Sequence, residues 1–180
     1  MYLSEKLILG MAIGTPFNLK NWIDEHRHLL KPPVGNQQVF LDNQDFIVMV
    51  VGGPNARKDF HQEEGEELFY QLEGDIVVRI MENGLPRDIQ VKEGELFLLP
   101  SGVPHSPQRP ANTVGLVIEH YRRPGELDAF SWYCASCHHL LYKEELALAD
   151  IVGQLPPLME RFWSNLEART CKKCGSILEK

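Results

Sequence analysis

Four cysteines fall in two identical spacings, Cys134-x-x-Cys137 and Cys171-x-x-Cys174, separated by residues 138–170. A C-x-x-C turn brings two thiolates to one point, and two such turns supply four soft donors, the number a tetrahedral zinc or iron site takes. Disulfide scaffolds are usually shorter chains with more cysteine per residue. The spacing therefore predicts a closed tetrathiolate site in a reducing compartment, with Zn and Fe both open. Cys134-Ala-Ser-Cys137-His138 also spells the C-x-x-C-H haem-attachment pattern, but that reading needs export and leaves Cys171 and Cys174 without a task.

A second constellation lies upstream. His61 and Glu67 are six positions apart, so on an extended strand they share a face, and Gly94-x5-Pro100-x-Gly102-x2-His105 presents another imidazole from a turn. Two imidazoles and one carboxylate on one side of an ion leave the opposite positions open. That facial triad suits iron(II), where substrate and dioxygen meet on the same ion. Glu63 shares the face of His61 and is the alternative ligand; otherwise it reads, with Glu64 and Glu66, as a solvated acidic turn. His26, His28, His120, His138 and His139 lack such spacing and read as ordinary core or surface histidines. Arg57, four residues before His61, and Arg109, four after His105, are placed to hold an anionic substrate; the plain alternative is surface arginine.

Side chains this far apart meet only if the chain folds back on itself. From Gln37 to Tyr121 it reads as short β-rich runs, QQVFL, DFIVMVV, ELFYQL, DIVVRI, RDIQV, ELFLLP and TVGLVIEHY, broken by turn residues, the pattern of an antiparallel sandwich or barrel. Asn83-Gly84 is the strongest hairpin signal. Residues 18–30 predict a helix, capped by Asn18 and ended by Pro32-Pro33. Beyond Pro124 we expect a strand around Trp132-Tyr133, a mixed stretch over 142–152, and a helix over 158–168 after Pro156-Pro157. The chain thus divides into 1–124 and 125–180, the second part too short to bury much core without a metal staple.

Composition sets the outer limits. The 180 residues are 43% hydrophobic and 24% charged, enough for one domain with a small appendage, and the formal charge of −7 offers no footprint for nucleic acid. The longest apolar run, residues 46–51, is far below the roughly 20 residues of a membrane-spanning helix. Residues 7–14 have the look of a short export segment ending in Ala12-x-Gly14, but Glu5 beside Lys6 argues against it; Met11 is an alternative start, and a cytoplasmic location is expected.

The two ligand-bearing segments resemble the cupin motifs G-x5-H-x-H-x3,4-E-x6-G and G-x5-P-x-G-x2-H-x3-N. Glu67-x6-Gly74 and the whole spacing from Gly94 to His105 match. Glu63 stands where the first motif has its second histidine, and Arg109 where the second has asparagine, which reduces three His and one Glu to two His and one Glu and adds a fixed cation. The resemblance implies a mainly β fold, a double-stranded β-helix or jelly-roll barrel, with an N-terminal helix and a small metal-bound C-terminal tail.

Further runs narrow this resemblance. Phe17-Asn-Leu-Lys-Asn-Trp-Ile-Asp-Glu-His26, Leu30-Lys-Pro-Pro-Val-Gly-Asn36, Val50-Val-Gly-Gly-Pro-Asn55, His61 with Glu67 and Gln71, Phe97-Leu-Leu-Pro100, His105-Ser-Pro-Gln-Arg-Pro110, Val117-Ile-Glu119 and both cysteine pairs are similar to the 3-hydroxyanthranilate 3,4-dioxygenase family. The similarity is to the form with a C-terminal rubredoxin-like four-cysteine metal site, and runs from about Gly14 to about Gly175. It implies Fe(II) held by His61, Glu67 and His105, and Fe or Zn held by Cys134, Cys137, Cys171 and Cys174. Arg57 and Arg109 would meet the substrate carboxylate and help order O2, Glu119 would act as acceptor or proton relay, and Asn36 would lie on a loop, residues 32–36, that closes over the pocket. The implied reaction opens the ring of a small aromatic carboxylate, 3-hydroxyanthranilate, with O2. Its product, 2-amino-3-carboxymuconate semialdehyde, closes to quinolinate, a precursor of NAD in the kynurenine pathway. A homodimer is implied as well.

Two other classes stay open on sequence alone. A different cupin enzyme, such as an isomerase or another aromatic dioxygenase, would need the histidine that Glu63 replaces or would lack Arg57 and Arg109. A non-catalytic cupin, a ligand sensor or zinc-ribbon interaction protein, would need no open-site metal.

Overall fold

A computed structural model of the chain describes residues 14–32, 35–41, 45–149 and 151–180. The export-like segment before Gly14, the alternative start at Met11, and Pro33 and Val34 of the 32–36 loop lie outside the described residues. Helix α1 (Leu19–His26) precedes strands β1 (Asn36–Gln38), β2 (Phe46–Gly52), β3 (Asp59–Gln62), β4 (Glu67–Glu73), β5 (Ile76–Glu82), β6 (Leu85–Val91), β7 (Leu96–Leu99), β8 (His105–Gln108) and β9 (Val114–His120). Strands β10 (Asp128–Tyr133) and β11 (Leu140–Leu146) follow, then helices α2 (Ile151–Trp163) and α3 (Leu166–Arg169). Each β-rich run contributes a strand, and the expected mainly β cupin barrel with its N-terminal helix is what forms.

All strand pairings are antiparallel. One sheet has the order β1-β2-β9-β4-β7 and the other β11-β10-β3-β8-β5-β6. Alternation decides which side chains face inward. Along β4, Glu67, Phe69 and Gln71 are buried while Leu68, Tyr70 and Leu72 are less so. The inward apolar residues Phe69, Ile76, Val78, Ile80, Val91, Leu99 and Val117 form the core between the sheets. Asn83-Gly84 makes the predicted two-residue turn, with Glu82 opposite Leu85.

The N-terminal helix is shorter than residues 18–30. Asn18 caps it, its Oδ1 accepting from Asn21 N at 3.0 Å, but beyond His26 the backbone tightens into a 3-10 turn over Arg27–Leu29. Ile23 and Leu30 pack on Val50 and Val114, so the helix covers one end of the outer face of the five-stranded sheet.

Residues past 124 complete the barrel, since β10 pairs with β3 on one side and β11 on the other. The expected C-terminal helix is misplaced by the sequence pattern. Helix α2 starts at Ile151 and carries Pro156 and Pro157 inside it, although neither proline has an N–H for the carbonyl four residues back. Burial outweighs that loss: Leu158 and Phe162 are fully enclosed against Phe130, Trp132 and Leu178, with Phe162 stacked on Trp132 at 4.3 Å. The helix breaks at Ser164, and Asn165 caps the short α3. Among the described residues no helix is long and apolar enough to cross a membrane.

Candidate functional site

His61 on β3 and His105, the first residue of β8, are register partners in the six-stranded sheet. Glu67, the first residue of β4, belongs to the facing sheet. One donor atom from each of the three falls within 4.8 Å of the others, inside the barrel. The two sheets thus bring together the three residues expected as ligands, although His61 and Glu67 lie on facing strands of different sheets rather than on one extended strand. The Val103 carbonyl engages His105 Nδ1 at 3.0 Å, and Nε2 faces Glu67 Oε2 at 2.7 Å. Burial opposes the charge on Glu67, yet the adjacent imidazole holds its carboxyl below the usual range. Burial likewise opposes protonation of His105, and Glu67 outweighs it. Glu67 Oε2 is enclosed without an aligned hydrogen bond. Two nitrogens and an enclosed carboxylate oxygen, converging from one side, fit a divalent ion of the iron(II) type with the remaining positions facing the cavity.

That cavity has a volume of about 590 Å³ and reaches Arg57, Arg109, Glu119 and Asn36. Arg109, 4% exposed, makes a single side-chain hydrogen bond among the described residues, to Gln71 Oε1 at 3.4 Å. Burial pushes its pKa down to about 10, against the pull of Glu67 and with the push of Arg57. Among the described residues the guanidinium has no carboxylate partner of its own, so its charge-assisted donors are available to an anion in the cavity. Gly115 makes room for it, because a Cβ there would lie 2.9 Å from Arg109 Nη1. Arg57 is instead gripped by Asp59 through Nε and Nη2. Burial disfavours the charge on Arg57, but Asp59 outweighs that and raises its pKa. Asn36 opens β1, its Nδ2 3.8 Å from Met49 Sδ.

Glu119 on β9 sits directly opposite Glu67 on β4, a like-charge pair that costs stability unless cations intervene. The cation is Arg122, whose Nη1 is 3.0 Å from Glu119 Oε1 and whose Nη2 is 3.1 Å from Glu63 Oε2. Sequence reasoning missed Arg122, and with it Asp128 and Asp59. Asp59 had a local signal, two residues after Arg57; Arg122 lies three residues after Glu119 and six before Asp128, but the contacts that give these two residues meaning, to His61 and Glu63, come from distant parts of the chain. The solvated reading of Glu63 is overturned while Glu64 and Glu66 are exposed as expected. Glu63 is 5% exposed, and burial, with Glu119 beside it, pushes its pKa up to about 10. The far wall of the cavity is Leu155, Pro156 and Met159 of α2, which periodicity alone did not assign to the site.

The second cluster lies where β10 ends. Cys134 Sγ is 3.5 Å from Cys174 Sγ and Cys137 Sγ 3.6 Å from Cys171 Sγ, and all four sulfurs fall within 4.8 Å of one another. Thiolates about 2.3 Å from a tetrahedral ion lie roughly 3.8 Å apart, so the four fit zinc or iron. The two knuckles repeat one backbone pattern. Cys134 N donates to His139 O and His138 N to Cys134 O, at 2.8 and 2.9 Å; Cys171 N donates to Ser176 O and Gly175 N to Cys171 O, both at 2.8 Å. His138 (φ 58°) takes the left-handed conformation that Gly175 (φ 77°) takes in the other turn.

Comparison with known proteins agrees with this geometry. A family model described as 3-hydroxyanthranilic acid dioxygenase matches residues 11–163. A curated 3-hydroxyanthranilate 3,4-dioxygenase of Xanthomonas euvesicatoria pv. vesicatoria (strain 85-10) is 53% identical over 162 residues, 90% of this chain and 91% of that protein. Proteins of the same name from Jannaschia sp. (strain CCS1) and Paraburkholderia phytofirmans (strain DSM 17436 / LMG 22146 / PsJN) are each 52% identical over 168 residues. These cover 93% of this chain and, respectively, 93% and 96% of theirs.

Proposed function

The chain belongs to the 3-hydroxyanthranilic acid dioxygenase family, and from that premise we propose that it uses Fe(II) and O2 to open the ring of 3-hydroxyanthranilate between C3 and C4. The product, 2-amino-3-carboxymuconate semialdehyde, then cyclises to quinolinate for NAD biosynthesis. His61, Glu67 and His105 hold the iron. What iron(II) supplies when bound is a route for electrons between a chelated aromatic and dioxygen, which react slowly in its absence.

The chain's own side chains do the rest. Arg109 receives the substrate carboxylate, and Arg57, steadied by Asp59, adds a second positive charge on the same cavity. Glu119 would take the proton of the substrate's phenol. Phe130, Leu155 and Met159 line the cavity with apolar surface against water. The observation that carries this reading is Arg109, buried without a carboxylate partner among the described residues, in the cavity that holds the triad. To test it, the protein is loaded with Fe(II) anaerobically, given 3-hydroxyanthranilate, then exposed to air. A transient muconate-semialdehyde absorbance is expected. Bound iron without that product would reassign the protein to another cupin chemistry, and no iron at the triad would remove the catalytic reading.

The division at residue 124 is read as functional: 1–124 carries the catalytic ligands, and 125–180 a rubredoxin-like four-cysteine extension whose Fe or Zn is structural. A homodimer is supported by an apolar outer sheet face, where exposed Leu98 pairs across Leu68 with Ile118, beside exposed Leu96 and Phe46. Four free thiols in one cluster support a reducing, cytoplasmic setting.

A further inference from the structure

We propose that Arg122 is a positioning residue that ties the metal ligand His61 to the acid–base carboxylate Glu119; this rests on the roles just given to those two side chains. Arg122 lies between β9 and β10, with its side chain 12% exposed. Its fork grips Asp128, Nε donating to Oδ1 at 2.9 Å and Nη2 to Oδ2 at 2.6 Å. The same Oδ2 is 2.6 Å from His61 Nε2. Nη1 reaches Glu119 Oε1 at 3.0 Å, and Nη2 also lies 3.1 Å from Glu63 Oε2.

A single planar group therefore spans the partner of a metal ligand and the carboxylate proposed to take the substrate proton. Asp128 is fully buried and holds one ring nitrogen of His61, leaving the other for the ion. With the fork engaged, Asp128 cannot rotate, so the imidazole plane is fixed. The spacing between that plane and Glu119 is then set by the covalent geometry of one guanidinium. Lysine, a point charge on a flexible stem, cannot hold both ends.

The experiment uses the full chain with zinc in the four-cysteine cluster. Fe(II) affinity is measured against a competing chelator, together with kcat and KM for 3-hydroxyanthranilate and Tm, for wild type, Arg122→Gln, Arg122→Lys and Asp128→Asn. Arg122→Gln is expected to weaken Fe(II) binding by about 10–100-fold and also to lower kcat at saturating iron, with KM changed less. Asp128→Asn is expected to weaken iron binding with a smaller loss of kcat, because Arg122 still reaches Glu119. Arg122→Lys is expected to fall between wild type and Arg122→Gln in both measurements. An Arg122→Gln protein that loses only Tm, with iron affinity and kcat kept, would overturn the proposal. Should Arg122→Gln fail to fold, Arg122→Lys decides: wild-type iron affinity and kcat overturn it, and a loss of both at unchanged Tm supports it. A wild-type protein without iron affinity or turnover would overturn the proposed function itself and this inference with it.

Discussion

At the triad, the three proposed ligands come from three strands, β3, β4 and β8, and two sheets must pack correctly before they meet. At the cysteine cluster, the four proposed ligands come from two short turns whose backbone hydrogen bonds close within five residues of the first cysteine. The first set is mixed, sits inside the barrel and faces a cavity of about 590 Å³. The second is all sulfur and fills a tetrahedron by itself. An open ligand set leaves room for chemistry, whereas a closed one can only hold parts together. The fold makes the triad, while the cysteine cluster helps make the fold. Loss of metal should therefore cost activity at one place and structure at the other.

The largest effect is expected at the closed site. Structural metal of this kind contributes on the order of 10–16 kcal/mol in apparent terms, more than the small C-terminal core can replace. Cys171→Ser should loosen α3 and the residues after it, seen as fast amide exchange there and lower solubility, while α2, packed on Phe130 and Trp132, still walls the cavity and the barrel keeps its iron and its turnover. Complete loss of turnover in well-folded Cys171→Ser protein would erase the contrast, giving this cluster a catalytic or electron-transfer role. At the open site the pattern reverses. Glu67→Gln keeps the shape of the side chain and removes a ligand charge, so turnover should fall by more than about 100-fold, beyond the range typical of outer-shell residues. Its Tm should stay near wild type. A Glu67→Gln protein that melts early but turns over normally would mean that the triad is only a core ion pair.

These two clusters also differ in how readily they could be read from sequence. Both C-x-x-C turns are local, so spacing gave all four ligands. The triad residues were legible as motif spacing, but the expectation of one shared strand face does not hold: His61 and Glu67 lie on β3 and β4 of facing sheets, so sheet packing rather than periodicity along a strand brings them together. Arg122 and Asp128 escaped because their meaning lies in His61 and Glu63, which are distant in sequence; the local Arg122–Glu119 pair alone reads as an ordinary ion pair. Glu63 was misjudged for a related reason. Its acidic neighbours suggest solvent, yet the turn after β3 buries it, where Arg122 meets it. Helix α2 was misplaced because two prolines normally end a helix, and here burial of Leu158 and Phe162 prevails.

A smaller effect tests what the open site is open for. Arg109→Ala should raise KM for 3-hydroxyanthranilate by about tenfold or more, since one charge-assisted contact is worth roughly 1.5–3 kcal/mol. Iron affinity should hardly change, because Arg109 touches Gln71 rather than a ligand. An unchanged KM would remove the carboxylate from this position and move it to Arg57.

The smallest effect separates the two knuckles from each other. Both need a left-handed residue four positions after their first cysteine, because its N–H turns back to that cysteine's carbonyl. Gly175 meets the requirement without strain, and nothing lies within 4 Å of where its Cβ would be. Gly175→Ala should therefore cost only backbone energy, about 1–2 kcal/mol, read as a lower denaturation midpoint of the zinc-loaded protein. His138 already bears that cost at φ 58°. His138→Gly would remove it, but would also loosen the unfolded chain by about 0.4–1 kcal/mol, so its net effect should be a gain of about 1 kcal/mol or less. If Gly175→Ala left the midpoint unchanged, left-handed strain would not be what distinguishes the turns. The resemblance of the first knuckle to the second, despite its missing glycine, would then rest on the metal alone.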